Sequence, residues 1–249
     1  DHRDLHLSLR RQRQMCIRDR SKGEIYFDIK IKGQSTHICN RYKTIWPQKR
    51  REDQIGVNAI DKAVKLINAF AELERSWGIE YNEPSLDPGC TTLTVSMING
   101  GESFSAQAGE CTFTIASMFA PYLSVDEIKD QIVSTIEYIS KTDYWLKNNM
   151  PEYSNPFPPK IPLNVPESDQ GIQTIVGAFE DIFNKKPNIC PSPFVGDVNY
   201  LFEKGVKGVN WGPGDLSMGI HGADEHVPVQ QVLDAIKLYA ATIIKWCGL

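Results

Sequence analysis

Glu24-Ile-Tyr-Phe-Asp-Ile-Lys-Ile-Lys32 is the stretch from which the fold can be read. Ile25, Phe27, Ile29 and Ile31 alternate with polar residues, the period of a strand with one face on a core and one in water. Downstream, Val57, Ile60, Val64, Ile67 and Ala71 repeat at helical spacing to about Trp77, where Gly78 suits a helix stop. Leu93, Val95 and Met97 alternate again, Gly100-Gly101 turns the chain, and Cys111, Phe113 and Ile115 give another strand. Ser124-Val-Asp-Glu127 reads as a capping box with acids at the positive helix end. Val125, Ile128, Ile132, Ile136 and Ile139 supply that helix with a buried stripe.

The order from residue 21 is therefore strand, helix, strand, strand, helix. A last strand near Tyr144–Leu146 completes an α+β ferredoxin-like sandwich over residues 21–147. Asn148 to Glu167 holds six prolines and reads as a linker or domain crossing. Beyond it, a helix from Ser168 carries Ile172, Ile175, Val176, Phe179 and Ile182. Val206, Val209 and Trp211 suggest a short buried strand ending at Gly212-Pro-Gly214, and a last amphipathic helix carries Val229, Val232, Leu233, Ile236, Ala240 and Ile243. Residues 148–249 thus read as α/β, with a loop after a buried strand.

Composition narrows the classes. The chain has 249 residues, 41% hydrophobic, enough for one large or two smaller cores. A formal charge of -4 argues against nucleic acid as the main partner. No apolar run is long enough to span a membrane, and the first residues lack the pattern of a signal peptide. The six cysteines stand singly, without a Cys-x-x-Cys pair, which suits reduced thiols and a cytoplasmic protein.

Asp1 to Arg20 has six arginines and no strand or helix period. One reading is a disordered basic arm. The other is that it is not protein sequence by origin. Asp1–His6 and Arg10–Asp19, back-translated, resemble in order and spacing the two parts of a sequencing-library adapter, with Leu7-Ser8-Leu9 as the index between them. On that reading residues 1–20 are an artefactual tail, to be excluded from fold reasoning.

Three histidines lie beyond residue 20. His221 sits in the loop Trp211–Pro228, between Gly219 and Gly222 and just before Asp224 and Glu225. A neutral imidazole oriented by a carboxylate is a common metal ligand, while a plain loop histidine fits the same spacing. Asp224 and Glu225 equally suit the start of the last helix. His37 and Arg41 lie four residues apart after the first strand. They could stabilise an oxyanion and hold a carboxylate, or be a solvated polar loop. Gly212-Pro-Gly214 is a weak candidate anion nest. Neither Gly-x-Ser-x-Gly nor His-Glu-x-x-His occurs.

Several motifs in order carry a resemblance: Gly33-x-x-x-His37, Gly56-Val-Asn-Ala-Ile60 opening a helix, Gly100-Gly101, and Gly212-Pro-Gly214 with His221-x-x-x-Glu225-x-Val227. Together they resemble the dizinc amidohydrolases of the acetylornithine deacetylase and succinyl-diaminopimelate desuccinylase family, in the superfamily of carboxypeptidase G and aminoacylase. Glu72-Leu-Glu-Arg-Ser-Trp77 and the closing Tyr239 to Gly248 look like a deacylase-type branch. The resemblance implies a ferredoxin-like lid and dimerisation domain joined to the C-terminal part of an α/β zinc-peptidase catalytic domain. It implies hydrolysis of an N-acyl amino acid or small peptide by a metal-activated water, a homodimer formed through the lid, and no nucleic-acid or membrane partner. It makes His221 the last ligand of a pair of zinc ions, for which cobalt or manganese could substitute. His37 becomes the catalytic lid histidine that polarises the scissile carbonyl; Arg41, Asn58, Gly212 and Gly214 become substrate-binding.

The departures are specific. The family's His-x-Asp motif and Glu-Glu pair precede the lid; upstream of Ser21 there is no Glu-Glu pair, and the one His-x-Asp, His2-Arg3-Asp4, belongs to the adapter-like tail. The chain thus reads as a fragment that is inactive alone, with a non-catalytic dimerisation or ligand-binding relative as the alternative. Where a lid strand of relatives often carries a substrate-binding arginine, this chain has Ile115-Ala-Ser-Met-Phe119, and no arginine follows Arg75. Where many relatives have Thr-Asp-Ala, it has Gly196-Asp197-Val198-Asn199.

Overall fold

A computed structural model describes residues 16–45, 55–214 and 218–248. The tail residues 1–15, the part of the polar loop over 46–54, and Asp215–Ser217 of the Gly-Pro-Gly loop lie outside the described residues. Two compact units emerge, residues 23–160 and residues 1–22 with 161–249.

The first strand among the described residues, β1 (Cys16–Ile17), belongs to the second of these units. The unit 23–160 is built on β2 (Gly23–Lys32), whose alternation is borne out: Ile25, Phe27, Ile29 and Ile31 are buried. β3 (Thr36–His37) and the short helix α1 (Arg41–Ile45) follow, then the long helix α2 (Ala59–Glu80). Next come β4 (Thr92–Gly100), β5 (Ala106–Gln107), β6 (Glu110–Phe119), helix α3 (Val125–Thr142) and β7 (Glu152–Ser154). Four of these strands form one antiparallel sheet in the order β4-β6-β2-β7, joined by three pairings. One continuous core joins its buried face to both long helices, through Phe27, Phe113, Ile115, Leu66, Phe70, Trp77, Ile128, Ile132 and Ile136. Each such side chain contributes roughly 1.5–3 kcal/mol by leaving water.

Three local expectations for this unit change. α2 does not stop at Gly78 but continues to Glu80. Trp77 and Tyr81 both hydrogen-bond Gln131 of α3, and this tertiary anchor outweighs the roughly 1 kcal/mol cost of an interior glycine. In β4 the alternation breaks between Val95 and Met97, where an extra residue shifts the register, so Met97 points to solvent. Tyr144–Leu146 is a turn, not the last strand. Asp143 Oδ1 accepts the backbone N–H groups of Trp145 and Leu146, the donors a ladder would need. The last strand is instead β7, inside the proline-rich segment, paired with Asp28–Lys30 of β2. That pairing carries the unit to Lys160, past the expected boundary at residue 147.

The same turn holds a buried ion cluster. Asp143 Oδ2 accepts from the buried Lys62 at 3.0 Å and from Lys65, and the Lys62 ammonium lies 4.0 Å from the Tyr144 ring centroid. Burial pushes the Asp143 carboxyl up. The bonds from Lys65, Leu146 N–H, Lys62 and Trp145 N–H outweigh burial and hold it well below the usual carboxylate range. The capping box of α3 is present in both directions, Ser124 N–H to Glu127 at 2.8 Å and Glu127 N–H to Ser124 at 3.1 Å.

In the second unit β1 pairs in parallel with β8 (Asn188–Ile189). Arg18, Arg20 and Ser21 make single bridges to Asn210, Asn164 and Ser192. Cys16 to Arg20 are therefore placed in the fold, unlike a disordered arm, because Ile17 is fully buried and three neighbouring segments offer backbone partners. α4 (Gln170–Phe183), capped by Asp169, packs on α6 (Val229–Cys247); α5 (Val198–Glu203) lies between them in sequence. The buried strand expected at Val206–Trp211 does not form: Val206 is exposed and only Asn210 makes a bridge. An apolar segment becomes a strand only beside a strand that completes its ladder. α6 also departs from expectation. It buries Ala235 and Leu238, the latter against Ala178 and Phe179, whereas Val229, Leu233, Ile236 and Ile243 are exposed. Apolar residues occupy more than one face, and α4 covers only one.

No helix among the described residues is long and apolar enough to cross a membrane. None of the six cysteines forms a disulfide.

Candidate functional site

The structure gathers the candidate residues into two groups, one in each unit. At one end of the four-stranded sheet, Gly33 lets the chain leave β2 in close contact with its neighbours. A Cβ there would lie 2.4 Å from the Val57 carbonyl oxygen. The resulting contact, Gln34 N–H to Val57 O and the reverse bond, sets β3 beside the start of α2. β3 pairs with β5, His37 opposite Ala106 and Thr36 opposite Gln107.

His37 is exposed, and its Nδ1 accepts the backbone N–H of Cys39 at 3.2 Å. Nδ1 is thereby the acceptor, so the neutral ring carries its proton on Nε2 and presents a hydrogen-bond donor. Arg41 is committed within the unit. Its Nη2 lies 2.5 Å from Asp61 Oδ2, and its Nη1 donates to Gln107 Oε1 at 3.2 Å. Asn58 caps α2, its Oδ1 accepting Ile60 N–H at 2.9 Å. It also lines a pocket of about 440 Å³ with Gly100, Gly101, Glu102, Ser103 and Phe104. His37 thus adjoins this pocket through its register partner Ala106, while Arg41 is held by Asp61.

The second group surrounds His221. His221 and Asp224 both adopt left-handed backbone, at φ 60° and 63°. Non-glycine residues held there cost of order 1–3 kcal/mol each, and such strain gathers at functional sites. Glu225 Oε2 accepts His221 N–H at 3.3 Å, and the His226 ring nitrogen Nδ1 bonds to Asp224 O at 2.8 Å. The adjacent cleft, about 600 Å³, is lined by Glu225 and His226 together with Trp211, Gly212 and Gly214; His221 is not among its walls. The Gly214 N–H is engaged by Gln231 Oε1 at 2.8 Å, so it does not point a free donor at an anion. Asp224 and Glu225 do not enter the first turn of α6, which begins after Pro228.

The described donor set does not make a complete metal centre. Among the described residues no group of three or more His, Cys, Asp or Glu side chains converges on a point that could hold an ion. Structural zinc takes four ligands and catalytic zinc three plus water.

Sequence reasoning missed Glu102, Ser103 and Phe104 of the first pocket and His226 of the second. A signal for the first lay in an aromatic set in a polar Gly-Gly turn, where no strand period calls for it. For His226, proximity to His221 was the available signal.

Comparison with known proteins agrees with this architecture. Residues 52–143 match the M20-type peptidase dimerisation domain. The chain is 30% identical over 204 residues to N-formyl-4-amino-5-aminomethyl-2-methylpyrimidine deformylase of Bacillus subtilis (strain 168), covering 78% of this chain and 47% of that protein. It is 21% identical over 233 residues to acetylornithine deacetylase of Myxococcus xanthus, covering 92% of this chain and 54% of that protein. Among solved structures, aminopeptidase PepT from Bacillus cereus ATCC 10987 superposes with a TM-score of 0.64 at 17% identity, covering 94% of this chain and 54% of that one. The chain carries the dimerisation domain of the M20 peptidase family, and its relatives include acetylornithine deacetylase. It spans about half the length of the curated relatives it matches.

Proposed function

We propose that the chain is part of a metal-dependent amidohydrolase that removes an acyl group from an amine, with N-acyl amino acids, small peptides and formylated amines as the substrate classes. The observation that carries this reading is the kinship over 204 residues with a deformylase, a hydrolase of a C–N bond. The geometry of His37 supports it. A ring whose Nδ1 is occupied by Cys39 N–H offers Nε2–H to an amide carbonyl oxygen, where negative charge grows during hydrolysis. In this reading the unit 23–160 is the ferredoxin-like lid, with the strand order β4-β6-β2-β7 in its support. It pairs with a second copy, as the dimerisation-domain match suggests. Asn58, Gly212 and Gly214 line the substrate path, and Arg41 orders the lid loop through Asp61.

His221 supplies one metal ligand, oriented by its strained loop. A bound zinc pair would supply Lewis acidity and an activated water. The described residues hold too few converging ligands for that pair, so we place the remaining ligands and the general base in the part of the relatives' length that the chain does not span. The second reading, a non-catalytic dimerisation or ligand-binding relative, draws on the same shortage of ligands.

The test compares this chain with a longer protein that restores the relatives' full length. Expected is metal-dependent release of formate or acetate from N-acyl amines by the longer protein, abolished by chelation. His37→Ala should lower turnover by about 10²-fold or more, as for loss of one oxyanion donor. The 249-residue chain with added zinc should show none. A full-length protein inert on every N-acyl amine, with zinc bound, would favour the non-catalytic reading.

A further inference from the structure

We infer that the pocket at the lid tip is a subsite for the ring of an aromatic amine, and that it rejects carboxylates. The inference rests on the amidohydrolase reading and names the leaving group of that reaction. Three features of the walls carry it.

Phe104 forms the rim with its side chain fully exposed, 100% by area. A phenyl ring held in water at a pocket mouth gains most from a second ring laid against it, or from a cation over its face. Glu102 is the one ionisable residue among the lining residues; the polar groups beside it are Asn58 and Ser103. A carboxylate entering here meets like charge, whereas an amine meets a counter-charge and hydrogen-bond acceptors.

Among the described residues, Arg41, the arginine of the neighbouring segment, is already used. Arg41 is paired with Asp61 and Gln107, and no arginine occurs from residue 76 onward. The start of α2 does not restore an anion site either. Ala59 N–H is taken by Ala108 O, Ile60 N–H by Asn58 Oδ1, and Asp61 stands in the first turn. Asn58 keeps its Nδ2 donors for a ring nitrogen or a carbonyl, because its Oδ1 serves the helix. A volume of about 440 Å³ lies within the roughly 300–1,000 Å³ range of small-molecule sites.

The experiment is an amide-resolved NMR titration of the 249-residue chain with two ligands of similar size, an aminomethylpyrimidine and an N-acetyl amino acid. Expected are saturable shifts at Gly100, Gly101, Glu102 and Phe104 with the pyrimidine and none there with the acetylated amino acid. Phe104→Ala, at an exposed side chain that the fold does not use, should weaken pyrimidine binding by about fivefold. Glu102→Gln should weaken it for the protonated amine but not for the corresponding uncharged alcohol. Equal or tighter binding of the acetylated amino acid would overturn the inference, as would shifts confined elsewhere or no shift at millimolar ligand. The readout needs neither metal nor turnover. Ring binding here by a protein whose full-length form hydrolyses no amide would sink the amidohydrolase reading alone. A full-length enzyme that hydrolyses N-acyl amino acids with a KM raised by Arg41→Met would sink the subsite alone.

Discussion

The two units of this molecule handle the same kind of sequence pattern with opposite results. In the unit 23–160, each amphipathic element finds a partner: the apolar face of β2 and β6 meets α2 and α3, and one core runs from Ile25 to Leu146. In the other unit, two small clusters form around Leu163 and Phe179, and α6 leaves Val229, Leu233, Ile236 and Ile243 in water. Periodicity specifies that a helix has an apolar face. Only a neighbour of matching shape turns that face into core, and exposed apolar patches of this kind mark surfaces meant for contact.

The largest effect is expected from the first unit. Phe113→Ala should cost about 3–5 kcal/mol, since it empties a site packed against Phe70 at 6.3 Å between ring centroids. Calorimetry that resolves the two units would detect it as a shift of one transition. Ile236→Ala in α6 makes the contrast: roughly 0.5 kcal/mol or less is expected for an exposed side chain. Equal losses from the two substitutions would erase the distinction between the units.

A comparable loss is expected at the ion cluster. Asp143→Ala strands the buried Lys62 ammonium and removes the carboxylate acceptor of two backbone N–H groups, at a cost of about 3–5 kcal/mol. The pH dependence has a definite sign. The folded-state pKa of Asp143 lies below the ordinary value of about 3.9, so its contribution is complete above pH ~4. It is lost as the pH falls through the folded value. Urea melts of parent and Asp143→Ala should therefore converge as the pH is lowered below ~4; a gap that widens there would contradict the linkage.

The smallest effect should come from the α3 cap. Ser124→Ala removes one side of the capping box and should cost about 1 kcal/mol, read as a lower urea midpoint with unchanged slope. A loss of several kcal/mol would mean that this helix end is held by its cap and not by the core beneath Ile128 and Ile132.

Much of the fold was legible where a local pattern and a tertiary partner agree. Ile25–Ile31, Cys111–Ile115 and the Ile128–Ile132–Ile136 stripe sit where their periods place them. The errors have a common cause in long-range competition. Gly78 was overruled by Gln131, Leu146 by the Asp143 carboxylate, and Val206 by the lack of a ladder partner among the described residues. The candidate site was legible in part. Its residue types stood out, but the commitment of Arg41 to Asp61, and of Gly214 to Gln231, could not be read from spacing.

By itself, then, the sequence determined which segments are amphipathic, where α3 is capped, and that His221 stands in a loop. These depend on neighbours within a few residues. The tertiary structure decided which apolar faces are buried, that Glu152–Ser154 supplies the last strand, that His37 presents Nε2–H, and that the pocket beside Asn58 is walled by Glu102 and Phe104. Those depend on groups tens of residues apart competing for the same donors, acceptors and apolar area. No local pattern records the outcome of that competition.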